Sequence, residues 1–420
     1  MHNGSATALS GKWLIFLLLL ALQFKSGAQT KTLDFFISEA TQNSPLLKDY
    51  RNQALSNSLD SERIRAALRP QVTGTSNNSY APVIRGIGYD GAITNGANIS
   101  ALVGVNKSFT GQRNLQSQFE TLSILSQGFN NTSKLSEQDL KRNIIAQYIT
   151  AYGDLQQLNF SKELSLLLNK EDTILKKLTE NNVYRQTDYL TFLVTLQQQE
   201  LATRQAEIQF QTDYLTLNYL SGINDTTIAD IAEPQISIAE RAVPEGSIFY
   251  RQYTLDSLRI RNQRLIIDYS YKPKLNIFAD AGYVTSLLTL PYKNFGTSFG
   301  FNLSVPIYDG KQRKLQYRKL DLSEETRIGY REFFKKQYSQ QVSQLMKQLR
   351  STQELIDQIN RQIKYSEGLI QVNTKLLVTG DVRIADLIIA LNNYLNAKNL
   401  LTQNTVNRLQ LINQINYWNR

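Results

Sequence analysis

The chain has 420 residues, a formal net charge of +10, no cysteine, eight prolines and a single histidine, His2. Without cysteine there are no disulfides and no thiolate chemistry, and an imidazole confined to the extreme N-terminus leaves none for a triad, a proton shuttle or a typical zinc site. Nor does the charge mark a nucleic-acid surface: Lys12 and Lys25 fall in the N-terminal leader, and the other cations are spread among acids and glutamines as on solvated helix faces.

Lys12 precedes the apolar run Trp13 to Leu22, and Ser26-Gly27-Ala28 places small residues before Gln29. This predicts a secretory signal peptide over 1–28, because the run falls short of the ~20 residues of a membrane helix. No later stretch is apolar enough for such a helix, and no cysteine follows the cleavage position to carry a lipid anchor.

From Thr32 to about Leu68 apolar residues recur at helical spacing, with Asn43-Ser44-Pro45 as a start or kink signal and Arg69-Pro70 as the end. Strands are predicted over about 71–80 and 98–109, the second alternating Ile99, Ala101, Val103 and Val105 with Ser100, Gly104 and Asn106. After Gly111 no proline interrupts the stretch from Gln112 to about Glu180, whose apolar residues Leu140, Ile144, Tyr148, Ala151, Leu155 and Leu158 form a helix stripe. A helix of that length measures on the order of 100 Å, more than a compact domain needs. Asn181-Asn182 predicts a reversal. In the return helix, Val194, Leu201, Ile208 and Leu215 stand seven apart and are expected to pack between neighbouring helices.

Residues 222–247 read as a connector, and the plan then repeats. A helix from about 248 ends at Lys272-Pro273. Strands follow over about 274–284 and 295–308, and Pro306 and Asp309-Gly310 bend the chain into a hairpin over about 311–417 that turns at Thr379-Gly380-Asp381. Phe109-Thr110-Gly111 and Tyr308-Asp309-Gly310, like Arg185-Gln186-Thr187-Asp188 and Arg383-Ile384-Ala385-Asp386, recur at an offset of about 200 residues, so 29–221 and 248–420 are two copies of one plan.

In the strand from Phe295, apolar or β-branched residues alternate with small or polar ones, and its length fits the ~9–11 residues of a tilted transmembrane strand. Four strands cannot close a barrel, and an open edge in lipid leaves unpaired backbone groups costing several kcal/mol each, so the chain must oligomerise. Eight strands from a dimer would enclose mostly side chains, whereas twelve from a trimer leave a lumen.

These features resemble the TolC family of outer-membrane efflux channels across nearly the whole mature chain. The second copy carries the strand-to-helix signature Val305-Pro306-Ile307-Tyr308-Asp309-Gly310 and the hairpin signature Thr379-Gly380-Asp381 with Ala385-Asp386-Leu387-Ile388. In the first copy Lys107 replaces the usual proline and Asn182 the usual glycine.

The resemblance implies a mainly α fold with a transmembrane β-barrel: a homotrimer whose twelve-stranded barrel continues into a coiled-coil periplasmic tunnel. It implies a Gram-negative outer-membrane location among outer-membrane lipid, and a passive exit duct without catalysis or cofactor. That duct would serve tripartite efflux or type I secretion, fed by an RND- or ABC-type inner-membrane pump through a periplasmic adaptor (membrane fusion protein). Asn181, Asn182, Val183, Thr379, Gly380 and Asp381 would touch the adaptor, and Pro70, Gly111, Pro273, Pro306 and Gly310 would shape the strand–helix bends. Asp386 matches a constriction position and would form an acidic ring, with Ile389 where a family member carries a second acid. Asp188 is its counterpart in the first copy.

Both acids also suit a first helical turn on dipole grounds alone, and Arg383 could either pair with an acid to hold the tips or stay solvated. Two other readings stand beside the channel. A periplasmic coiled-coil adaptor or structural protein explains the helices but not four symmetrically placed strands. An envelope enzyme using paired carboxylates has no pocket implied by the duplication.

Overall fold

The computed structural model describes residues 30–82, 84–88, 97–240, 244–287 and 290–419, so the signal-peptide expectation for 1–28 lies outside the described residues. In chain order the elements are α1 (Leu33–Asn43), α2 (Pro45–Ala67), β1 (Gln71–Tyr80), β2 (Ala97–Phe109), α3 (Gln112–Glu180), α4 (Gln186–Leu220), α5 (Ile248–Ser270), β3 (Lys274–Thr285), β4 (Phe295–Ser304), α6 (Gln312–Thr379) and α7 (Ile384–Trp418). The paired helices are nearly equal in length, α3 and α6 having 69 and 68 residues and α4 and α7 having 35 each.

Two expectations shift at their ends. The first helix is broken at Ser44, where the residue before Pro45 is pushed into the extended region (ψ 113°). The last strand stops at Ser304 rather than about 308, because its partner β3 begins only at Lys274, opposite Ser304, after Pro273. Val305 to Tyr308 therefore carry no ladder, and Ile307 and Tyr308 stand exposed.

The chain divides into two compact units. One contains α1, residues 136–243 and 338–420; the other contains 46–135 and 244–337. In the first unit, Phe36 meets Tyr148 and Tyr214 edge-on, with Ile144, Ala151, Leu155, Leu158, Phe210 and Leu217 around them. The distal half of α6 buries Tyr338, Val342, Leu345, Thr352, Ile356, Ile359, Ile363, Ser366, Ile370, Asn373 and Leu377, in steps of three and four once the half-buried Leu349 is counted, which mark a coiled-coil seam.

The heptad in α4 behaves otherwise than expected. Val194, Leu201, Ile208 and Leu215 are 54, 72, 52 and 38% exposed, while α4 turns Phe192, Leu196, Gln199, Phe210, Tyr214 and Leu217 inward. Both series are apolar at helical spacing, so the pattern alone could not say which faces this chain's own core.

Amides fasten the seams. Asn413 donates to the Arg142 carbonyl (2.9 Å), Gln410 to that of Ala146 (2.8 Å) and Gln199 to that of Ser161 (3.2 Å). Some of the polar richness read as solvated surface therefore serves to fix helix register, since a buried amide is tolerated only when it is paired. The described connector residues before 241 are held against the helices by side-chain and backbone contacts. Ile231 bridges Lys31 in parallel, the Tyr148 hydroxyl donates to the carbonyls of Lys31 (3.2 Å) and Ala232 (2.7 Å), and Asn416 donates to that of Ser237 (2.7 Å).

In the second unit the four strands form one antiparallel sheet of order β1-β2-β3-β4, leaving β1 and β4 as edges. Asn262 of α5 donates to the Ser117 carbonyl (2.9 Å) and the Thr121 hydroxyl (2.8 Å) of α3, and Asn57 of α2 to the Leu122 carbonyl (2.6 Å).

Candidate functional site

The sheet register sorts the strand residues onto two faces. Residues directly opposite share a face, so Thr73, Gly104, Asp280 and Ser298 form one cross-strand row, and Gln71, Asn106, Phe278 and Gly300 another. This face also carries Thr75, Asn77, Ser100, Asn276 and Asn302, with Leu102, Phe278 and Val284 as apolar exceptions, and Ser298 donates to Asp280 (2.8 Å). The other face presents Val103, Val105, Phe109, Leu275, Ile277, Phe295, Phe299, Phe301 and Leu303. Phe299 there is 89% exposed. A largely apolar sheet face with nothing of its own chain upon it, broken by Ser76, Asn78 and Lys107, is a surface made to be covered rather than left in water.

At the strand–helix bends the two copies differ. In the second, Gly310 (φ 63°) and Lys311 (φ 71°) are both left-handed. Asp309 then closes the helix start by accepting from the N–H groups of Lys311 (2.9 Å) and Arg313 (2.7 Å). These hydrogen bonds, with one from Tyr271, hold the Asp309 carboxyl below the usual carboxylate range. Gly111 makes its corner without a left-handed residue. Pro70 and Pro273 each stand one residue before a strand, and Pro306 lies in the unpaired stretch after β4.

The hairpin turns lie in the first unit and share one device. Asn182 (φ 62°) and Gly380 (φ 80°) are both left-handed. The next N–H reaches back five residues, Val183 to Leu178 (2.9 Å) and Asp381 to Leu376 (3.1 Å), which is the Schellman closure of a helix C-terminus. Asparagine tolerates this backbone in the first copy and glycine in the second. The two turns also touch: the Tyr184 hydroxyl donates to the carbonyls of Leu377 (2.8 Å) and Val382 (2.9 Å), and a Cβ on Gly380 would lie 3.2 Å from Val183. Beneath them Leu175, Phe192, Leu377, Ile384 and Leu387 form a closed core. Thr379 donates to Asp381 (2.6 Å), and Asn181 to the Lys177 carbonyl (2.9 Å).

Gly380→Val combines a left-handed β-branched residue with this contact and is expected to cost about 1–3 kcal/mol. Hydrogen exchange should then accelerate at residues 376–386 while the rest of α6 stays protected.

Arg383 and Asp386 lie together at the start of α7. The guanidinium grips the carboxylate of its own helix with Nε and Nη2, both at 3.0 Å, rather than bridging the tips, and it holds the Asp386 carboxyl below the usual range. In the first copy no ion pair joins Arg185 to Asp188 among the described residues, and Asp188 is exposed.

Farther along, α3, α4 and α7 enclose a polar pocket of about 290 Å³ lined by Asp154, Gln157, Ser161, Gln199, Gln209 and Asn399. Asp154 faces Asp213. Burial, then the hydrogen bond and the charge of Asp213, push Asp154 up to about 7. Its Oδ2 is buried without a donor, so the group sits best as an acid donating to its neighbour. Burial acts the same way on Asp213, but hydrogen bonds from Asp154, Gln147 (2.9 Å) and Gln209 outweigh it and hold that group low.

Because Asp154 has a folded-state pKa above its unfolded value, the stability tied to its proton is complete below about pH 4 and is lost as pH rises towards 7. The melting temperature should fall between about pH 4 and pH 7, by the equivalent of roughly 1–2 kcal/mol after solvent screening. In Asp154→Asn, which keeps a donor towards Asp213 without a titrating proton, that slope should vanish.

Sequence reasoning passed over Tyr184, Asp154 and Asp213. The offset that aligns Asn182 with Gly380 also aligns Tyr184 with Val382, its own hydrogen-bond partner, and that was the available signal. The Asp154–Asp213 contact has no sequence signal, because it depends on how two helices are rotated.

No family model matches the sequence, and no curated relative does. Solved structures do. The outer membrane protein VceC of Vibrio cholerae aligns at TM-score 0.71 and 15% identity, over 92% of this chain and 96% of that one. The MtrE outer membrane channel of Neisseria gonorrhoeae, in its open state, aligns at 0.71 and 11%, over 92% and 88%. The CmeC outer membrane channel of Campylobacter jejuni aligns at 0.69 and 11%, over 92% and 85%. The chain has the fold of these proteins nearly end to end: two copies of a long helical hairpin, each preceded in the chain by two strands of one small antiparallel sheet.

Proposed function

We propose that this chain is one subunit of an outer-membrane channel for efflux or secretion, a passive exit duct rather than an enzyme. The observation that carries the reading is the sheet: four strands with two open edges, one apolar face bare of protein and one small, polar face. Such a sheet is stable in lipid only when its edges are closed by further copies. Twelve strands from a homotrimer leave a wet lumen lined by Thr73, Ser100, Asn276 and Ser298, whereas eight would fill it. The exposed heptad of α4 supplies an apolar strip for the same assembly. Copies 29–221 and 248–420 would each contribute two strands and one helical hairpin, with 222–247 as a strap between them.

The location that follows is the outer membrane of a Gram-negative bacterium, with the helices in the periplasm. The likeness to outer-membrane channel folds, with the resemblance of the hairpin motifs to the TolC family, supports docking of the tips, Asn181 to Val183 and Thr379 to Asp381, on a periplasmic adaptor coupled to an RND- or ABC-type pump. Asp386 would line the constriction, with Asp188 beside it. Its pairing with Arg383 makes the ring nearly neutral at rest, so Arg383→Gln is expected to raise cation selectivity and Asp386→Ala to lower it, as read by reversal potentials in a planar bilayer. Unchanged selectivity in both variants would remove these residues from the constriction.

The deciding experiment is the mass and conductance of the full chain extracted from membranes in detergent. A trimer that forms ion-conducting pores supports the channel. A monomer without pores would favour a periplasmic adaptor or structural protein.

A further inference from the structure

The two ends of the sheet differ in charge. At one end, the described loop residues on either side of the strands carry Arg85 and Lys293 as their charges. At the other end, where the strands meet the helices, stand Arg69, Lys107, Arg113, Lys272, Lys274 and Lys311, all exposed. The nearby acids are already engaged: Asp268 accepts from Arg313 and Tyr317, and Asp309 caps α6. Arg69, Arg113, Lys272, Lys274 and Lys311 have no carboxylate within ion-pair distance among the described residues. At this end of the sheet the cations outnumber the acids left to pair with them, which suits an anionic partner there.

A half-open cavity of about 750 Å³ lies at this end. It is lined by Phe109, Gln112, Arg113, Lys272, Lys274 and Arg313, among others, and is roughly half apolar. The lowest cross-strand row of the apolar face, Phe109, Leu275 and Leu303, adjoins it, and Lys107 extends its ammonium over the Phe109 ring (5.3 Å). Apolar rows suited to acyl chains thus pass directly into cations suited to phosphate, as at a membrane interface. The helices that start here are too polar to remain in hydrocarbon, which fixes this end at the level of the headgroups.

We propose that this junction binds the phosphate headgroup of an anionic phospholipid in the helix-side leaflet, with Arg113, Lys272 and Lys274 as the principal contacts. The inference rests on the channel reading, since it needs the sheet to stand in a bilayer.

The test uses full-length protein purified in detergent and offered phosphatidylglycerol, phosphatidylcholine or inorganic phosphate, with retained ligand read by native mass spectrometry. Phosphatidylglycerol is expected to be retained about tenfold over the other two. The variant Arg113→Gln/Lys272→Gln/Lys274→Gln should lose that preference, Lys272→Arg/Lys274→Arg should keep it, and Lys293→Gln at the far end should leave it unchanged. Equal retention of the two lipids by the wild type, or an unaltered preference in the triple glutamine variant, would overturn the proposal. Retention of inorganic phosphate to the same degree would overturn the lipid assignment in favour of a free-anion site. Single-channel recording on the same sample separates the two readings: a wild type that conducts without lipid preference defeats this inference alone, whereas one that forms no pores defeats the channel reading on which it rests.

Discussion

Phe299→Lys is expected to abolish assembly in the membrane, while Ser298→Lys, one position earlier, is expected to assemble. The two residues are neighbours in β4 but point to opposite faces. Phe299 stands near the middle of the apolar face beside Ala279 and Val105. A lysine at mid-bilayer on the lipid side of a barrel costs about 2–4 kcal/mol in each copy, which over the three copies of the proposed trimer is comparable to the whole margin of a typical fold. Ser298 already donates to Asp280, so a lysine there gains a carboxylate partner in a wet lumen. The measurement is the fraction of each variant recovered as trimer from outer membranes. Equal recovery of both would mean that the apolar face does not meet lipid, and the channel reading would fall with it.

Glutamates at Leu201 and Ile208 together are expected to convert the proposed trimer to single chains without unfolding the helices. Both side chains project away from the core of their own chain, which α4 builds from Phe192, Leu196, Phe210, Tyr214 and Leu217. Each would lose roughly 1.5–3 kcal/mol of burial between copies and leave a carboxylate to be desolvated there. Light scattering would report the mass, and circular dichroism the retained helix. A trimer of unchanged mass would place the strip on solvent instead of between copies, leaving the sheet edges as the contacts that hold the assembly.

The sequence by itself determined the elements and their order. Proline-free runs with three-four spacing specified the long helices, since only proline or a capping residue stops a helix of that kind. Period-two alternation in 98–109 and from Phe295 specified amphipathic strands, and the recurring offset specified the duplication. Left-handed backbone at Asn182 and Gly380 was legible because few residues adopt it readily.

Tertiary structure decided which of two apolar stripes on α4 faces inward, because both satisfy the helical period and only the placement of α3 and α7 distinguishes them. It decided that β4 ends at Ser304, because a strand lasts as long as its partner. It decided that Arg383 holds Asp386 of its own helix, a choice of rotamer rather than of spacing. It alone brought Asp154 against Asp213 and gathered the cations of six separate positions at one end of the sheet, since such contacts join residues far apart in the chain, and no local pattern records them.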